Sequence, residues 1–144
     1  MVLRILHWVC RLILGGIFLY AGYTKVDNPL QFAAALEAYQ LFPPHVVLWI
    51  MKGFPWLEIG LGLVLLLGTA IRYTATLAGA LLLVFVVIML ITYLRGIEAD
   101  CGCFGVGERI SLFTLTRDFL FILPALFLAI QPKRGRSRRP SRLV

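Results

Sequence analysis

Residues 97–110 read IEADCGCFGVGERI, and at the centre two thiols, Cys101 and Cys103, stand one residue apart. Three chemistries suit such a pair: thiol–disulfide exchange, capture of a soft metal such as Cu(I), or none, with two small residues in a tight turn. A disulfide across a single intervening residue closes almost no loop and braces little. Its restricted Cα–Cα reach also leaves the bond strained and readily reduced. A closed zinc site asks for four ligands, and the histidine best placed to join the pair, His45, is far away in sequence. Exchange is favoured on these grounds, with the metal clip and the inert turn as the alternatives.

Anything that positions those thiols must be built from greasy segments. The chain has 144 residues, 60% of them hydrophobic, with a mean hydropathy of +0.91. Both values lie far above those of a soluble globular domain. A helix needs about 20 mostly apolar residues to cross a bilayer, and four stretches qualify: about residues 3–23, 46–71, 74–94 and 111–130. Helices satisfy every backbone group internally, as the hydrocarbon layer demands. The expected fold is therefore an all-α integral membrane protein, a four-transmembrane-helix bundle over residues 1–131. Residues 132–144 are expected to form a disordered basic tail.

Between the first two spans, PLQFAAALEAYQLF begins with Pro29, a first-turn residue, and carries Phe32, Leu36 and Tyr39 at helical spacing. This predicts a short interfacial helix with an apolar stripe. Gly53-Phe54-Pro55 interrupts the next apolar run, so the second span is expected to kink there or to begin at Pro55. Gly15, Gly16, Gly22, Gly60 and Gly62 are expected to allow close helix approach, either within one bundle or between two copies.

The net charge of +7 is concentrated at one end, where six of the 14 basic residues lie in PKRGRSRRPSRLV with no acid among them. Next to a helix end, such a run reads as a topology determinant that touches anionic lipid rather than nucleic acid. The tail, and by parity the N-terminus with Arg4 and Arg11, are then cytoplasmic. The polypeptide is expected in the cell inner membrane with the Cys101–Cys103 loop extracytoplasmic, where disulfides persist. Arg4, His7 and Arg11 share a helical face and are expected to touch lipid head groups.

Helix arithmetic brings charges to the depth of that loop. Glu58 lies 14 residues before Arg72, about 21 Å up its helix at the usual rise. Arg117 and Asp118 stand early in the fourth span, and Lys25 closes the first. Charges within a span call for a partner or a purpose. Glu58 paired with Lys25 or Arg117 can be purely structural, and Asp118 can simply favour a helix N-terminal region. Cys10 lies far from the loop and reads as a small hydrophobe.

Five stretches, AGYTKVDNPLQF, ALEAYQLFPP, PWLEIGLGLVLLLG, DCGCFG and TRDFLFIL, together resemble the DoxX-like membrane proteins, and most closely the methylamine utilisation protein MauE family. The likeness runs from the first helix to the fourth and leaves out the tail. It implies a membrane thiol–disulfide redox module that uses Cys101 and Cys103 against an exported thioredoxin-like partner. Lys25, Tyr39, Glu58 and Arg117 fall on the family's polar positions. In that mechanism Arg117 or Lys25 lowers a thiol pKa, while Asp100 and Glu58 act on proton transfer. A quinone, by analogy with other membrane dithiol proteins, would be walled by Tyr39, Trp56 and Phe104. The alternatives are a non-enzymatic assembly factor for an exported enzyme, and a Cu(I)-handling protein.

Overall fold

In a computed structural model, residues 1–103 and 107–131 are described; Phe104 and the basic tail lie outside them. The described chain is helical: α1 (Val2–Asp27), α2 (Pro29–Ala38), α3 (Pro44–Leu67), α4 (Ile71–Leu94), α5 (Leu112–Leu120) and α6 (Ile122–Ile130). α1, α3, α4 and the stacked pair α5–α6 are each long and apolar enough to cross a membrane. The protein is thus a multi-pass membrane protein with a short helix between its first two spans.

Local chemistry explains the punctuation. Asn28 caps α2 with Pro29 just inside it, where a missing N–H costs nothing. α3 starts at Pro44 and runs on through Pro55, so the second span does not begin at that proline. The fourth span is two segments. Pro124 cannot donate to the carbonyl four residues earlier, and the helix breaks at Phe121. A capping box at Ser111 and Thr114 fixes the start of α5 and turns Leu115 and Asp118 inward.

α1 packs along α3, α4 along α6, and α1 also meets α6. Leu14, Phe18, Leu61, Leu65, Ala75, Ala78, Ala125 and Leu128 form the central core. Lipid tails are as apolar as these side chains, so close approach and polar ties must make the pairing specific. Gly15, Gly22 and Gly62 supply the approach: a Cβ at Gly22 would lie 2.6 Å from Ile59 and 2.9 Å from the Pro55 carbonyl oxygen. Gly16 and Gly60 meet nothing within 4 Å and take no part in this contact.

The short helix α2 is present as expected, and its stripe packs inward, with Phe32, Leu36 and Tyr39 buried against Val47 and Ala99. One expectation about surfaces is corrected. Arg11 does not reach head groups. It is buried, its Nε donates to the Leu65 carbonyl oxygen at 2.6 Å, and its Nη2 donates to that of Leu66. These are last-turn carbonyls of α3, which lack helical partners and carry the negative end of the helix dipole. Gly68 (φ +77°) leaves the space, since a Cβ there would strike the guanidinium at 2.6 Å. At the same end His7 Nδ1 meets Gln131 Oε1 at 2.7 Å. The start of α1 and the end of α6 therefore share one face of the bundle, and the cysteine loop occupies the other.

Gly22→Val should lower stability in detergent by about 1–3 kcal/mol through overpacking. Gly60→Ala should stay within about 0.5 kcal/mol of the parent. Thermal unfolding of both variants checks this, and equal losses would contradict the α1–α3 contact.

Candidate functional site

The loop after α4 is a narrow clasp. Cys101 N donates to the Glu108 carbonyl oxygen at 2.7 Å and Ile110 N to that of Ala99 at 3.0 Å, while Asp100 and Arg109 form an antiparallel bridge. Within it, Gly102 adopts φ +64°, a region that glycine enters without strain. The turn carries the Cys103 N–H to 3.5 Å from Cys101 Sγ and packs Gly102 against Ala35 and Tyr39. The same clasp lets Tyr39, at the end of α2, donate its hydroxyl to the Cys101 carbonyl oxygen at 2.6 Å.

Both thiols are free, and their surroundings differ. Cys101 has no exposed surface, and its Sγ approaches Glu108 Oε2 at 3.7 Å. Cys103 is half-buried, with Sγ 3.4 Å from the Cys101 carbonyl oxygen, and it faces an apolar cavity between α1, α3, α4 and α5. The hydrogen bond from the Cys103 thiol, aided by its backbone N–H, lowers the Cys101 pKa to about 7 against the cost of burial. That same bond favours the neutral form of Cys103, and burial adds to it, so the Cys103 pKa rises well above the ordinary thiol range. Two chemically identical groups are thus moved in opposite directions by the same turn.

Two sets of charges flank the pair. Lys25, buried at the end of α1, places Nζ 2.9 Å from Glu58 Oε2 on α3. Nζ also donates to Glu58 Oε1 at 3.1 Å, to the Ala21 carbonyl oxygen at 3.3 Å and to that of Cys103 at 3.3 Å. The rings of Phe32, Phe54 and Phe85, from α2, α3 and α4, surround the ammonium at 5.3–6.0 Å, a cation–π cage. On the other flank Arg117 Nη1 grips both Glu108 carboxylate oxygens at 2.9–3.0 Å, and its Nε donates to Asp118 Oδ1 at 3.1 Å. Glu58 therefore pairs with Lys25, and Arg117 pairs with Glu108 and Asp118.

The residues singled out from sequence fall into three groups. Cys101, Cys103, Lys25 and Glu58 come together, and Arg117 joins them through Glu108 and Asp118. Asp100 is partly buried and lines a small groove with Lys25 and Gly102. Tyr39 is buried on the Cys101 backbone, whereas Trp56 is 64% exposed on the outside of α3, so these two rings share no cavity; Phe104 lies outside the described residues. The cavity at Cys103 is walled instead by Phe18, Phe54 and Phe85, with Lys25, Glu58 and Asp118 at its polar end. It offers about 30 Å³ to the centres of water-sized molecules, enough for water. Sequence reasoning misses Glu108 and places Asp118 at the depth of the loop without a role toward the thiols. Both were visible as acids, but only the clasp and the capped start of α5 aim them at the thiols. Among the described residues no group of three His, Cys, Asp or Glu side chains could hold a metal ion.

Two consequences are measurable. Lys25→Met or Glu58→Leu alone strands a buried charge and should cost about 3–5 kcal/mol, while the two together should recover most of that loss. A double-mutant cycle by denaturation in detergent reads the difference. Tyr39→Phe removes one tie on the clasp, about 1 kcal/mol, so maleimide should reach Cys101 about fivefold faster. The pH midpoint of that reaction should not move; an unchanged rate would mean that Tyr39 does not hold the loop shut.

Comparison with known proteins adds an independent line. A family model described as methylamine utilisation protein MauE matches residues 3–131. The methylamine utilization protein MauE of Methylophilus methylotrophus is 28% identical over 116 residues, covering 78% of this chain and 61% of that protein. Its counterpart from Methylorubrum extorquens is 31% identical over 116 residues, covering 76% and 60% respectively. The chain thus spans about three fifths of the length of these curated relatives. No solved structure matches it. With the match running from the first span through the last, the chain belongs to the MauE family of multi-pass membrane proteins.

Proposed function

We propose that this protein is a membrane thiol–disulfide exchange module, with Cys101 as the attacking thiol and Cys103 as the resolving one. The observation that carries it is the geometry of the pair: the turn sets the Cys103 N–H 3.5 Å from Cys101 Sγ and gives the two sulfurs different surroundings, Cys101 against Glu108 and Cys103 against the cavity. An inert turn has no need of that asymmetry. The Cys101 thiolate attacks one sulfur of a partner disulfide; that S–S bond breaks and a mixed disulfide forms. Cys103, once deprotonated, attacks Cys101 Sγ, and the partner leaves as a dithiol that has gained two electrons and two protons. The protein is left with a Cys101–Cys103 disulfide. Run backwards, the same steps oxidise a partner. Burial of Cys101 requires the clasp to open for a macromolecular substrate.

The partner in this scheme is an exported thioredoxin-like protein or a disulfide-containing enzyme, reached on the extracytoplasmic side of the inner membrane with both termini cytoplasmic. The relatives are named as methylamine utilization proteins, and in this scheme the exchange is a step in maturing an exported enzyme of that metabolism. A lipid quinone as the electron carrier on the membrane side belongs to the same scheme. Cysteine-dependent quinone turnover by the purified protein is its test. A non-enzymatic scaffold is the competing reading, and it needs neither thiol.

In native membranes, Cys103→Ser should accumulate a mixed disulfide on Cys101 at about tenfold or more above the unmodified protein, and Cys101→Ser should not. Alkylation of Cys101 should rise with pH through a midpoint near 7, because the reactive form is the thiolate and its pKa lies there. No mixed disulfide in either variant, with both thiols permanently reduced, would sink the exchange reading. Growth on methylamine by a Cys101→Ser/Cys103→Ser strain would favour the scaffold.

A further inference from the structure

The exchange reaction above leaves one step without an agent. To resolve the mixed disulfide, Cys103 must lose a proton, yet it faces an apolar cavity and its neutral form is strongly favoured. Solvent hydroxide is a poor answer in such a place. Asp118 lines the same cavity and is 3% exposed. Arg117 Nε holds its Oδ1 at 3.1 Å, which fixes the plane of the carboxylate. Its Oδ2 is buried with no hydrogen-bond partner. A buried, unpartnered carboxylate oxygen is costly, and it persists where something else requires it.

The groups facing Asp118 fit a proton acceptor. From its own helix Arg117 supplies the orienting contact, and Glu108 from the clasp occupies the other side of that guanidinium. Lys25 from α1 and Glu58 from α3 lie across the cavity, but the Lys25 ammonium is occupied by Glu58 and the carbonyls of Ala21 and Cys103. α4 contributes only Leu81, Leu82 and Phe85. The thiols of Cys101 and Cys103 complete the set, and the Asp118 carboxylate is near enough to bear on the ionisation of Cys103. At rest the Cys103 Sγ lies 3.4 Å from the Cys101 carbonyl oxygen.

We infer that Asp118 is the proton acceptor for the resolving thiol: Oδ2 takes the proton from Cys103 Sγ as that sulfur attacks Cys101 Sγ in the mixed disulfide. The S–S bond to the partner breaks, its sulfur leaves as a thiolate, and two electrons pass to the partner. The proton then leaves Asp118 through water in the cavity. In the reverse direction protonated Asp118 returns it to Cys103 as the ring disulfide opens.

The reagent dithiobis(nitrobenzoate) separates the steps, using reduced protein in detergent with Cys10→Ala to silence the remote thiol. Cys101 releases the first thionitrobenzoate and Cys103 the second, as the internal disulfide closes. Asp118→Asn should leave the first phase within about twofold and slow the second by about tenfold or more, in the range of general-base effects. Asp118→Glu should recover part of that loss. A purely electrostatic or structural role predicts the opposite sign, because removing a negative charge beside Cys103 makes its thiolate easier to form. A second phase that is unchanged or faster in Asp118→Asn therefore overturns the assignment. Should that variant fail to fold, the parent protein still decides. With Asp118 as acceptor its second phase is independent of buffer concentration and slows in D₂O, whereas a solvent-driven step climbs about tenfold per pH unit below the Cys103 pKa. Absence of any second phase in the parent protein would instead undo the exchange reading itself.

Discussion

A single ammonium group ties the working end of this protein together. Lys25 Nζ ion-pairs with Glu58 and also donates to two carbonyls, one from its own helix and one from Cys103. α1, α3 and the cysteine loop therefore meet at one atom, within a ring of three phenylalanines contributed by α2, α3 and α4. Such a contact is poor as a source of stability, because desolvating both charges offsets most of their attraction. It excels at register. An apolar replacement would allow α1 and α3 to slide; a buried charge with one possible partner does not. The loop inherits that precision through the Cys103 carbonyl.

The second charged group works differently. Arg117 spans from Glu108 in the clasp to Asp118 in the span, so it links the side of Cys101 to the side of Cys103. One acid lies near each thiol, with a common cation between them. The two sulfurs have the same chemistry and nearly the same address in sequence. Their difference comes from the turn at Gly102, which aims one at Glu108 and the other at the cavity. Hydrogen bonding between the thiols then amplifies the difference by lowering one pKa and raising the other.

What was legible in the sequence follows from which forces act at short range. The four spans, the helix at Pro29 and the depth of Lys25, Glu58 and Arg117 all follow from hydropathy and helical rise, which depend on neighbours in the chain. Which acid joins which base does not. Glu58 was equally able to meet Lys25 or Arg117 until the loop placed Glu108 against Arg117. Tyr39 was read as the wall of a pocket, since nothing in ALEAYQLF announces that its hydroxyl will meet a carbonyl 62 residues later. Arg11 looked like an interfacial cation because its helix neighbours suit that role. Its true partner is the exposed end of another helix, which no periodicity in α1 can reveal.

Arg11 also bears on what α1 needs from its neighbour. Of the cations on α1, Arg11 and Lys25 are buried, and a cation within a span is costly unless it finds a partner. The groups that receive them, the Leu65 and Leu66 carbonyls and the Glu58 carboxylate, all belong to α3. A lone α1 in lipid would leave both cations without these acceptors, and pairing with α3 supplies them together. The residues that set the register of the bundle are thus also the ones that make its first helix dependent on its second span.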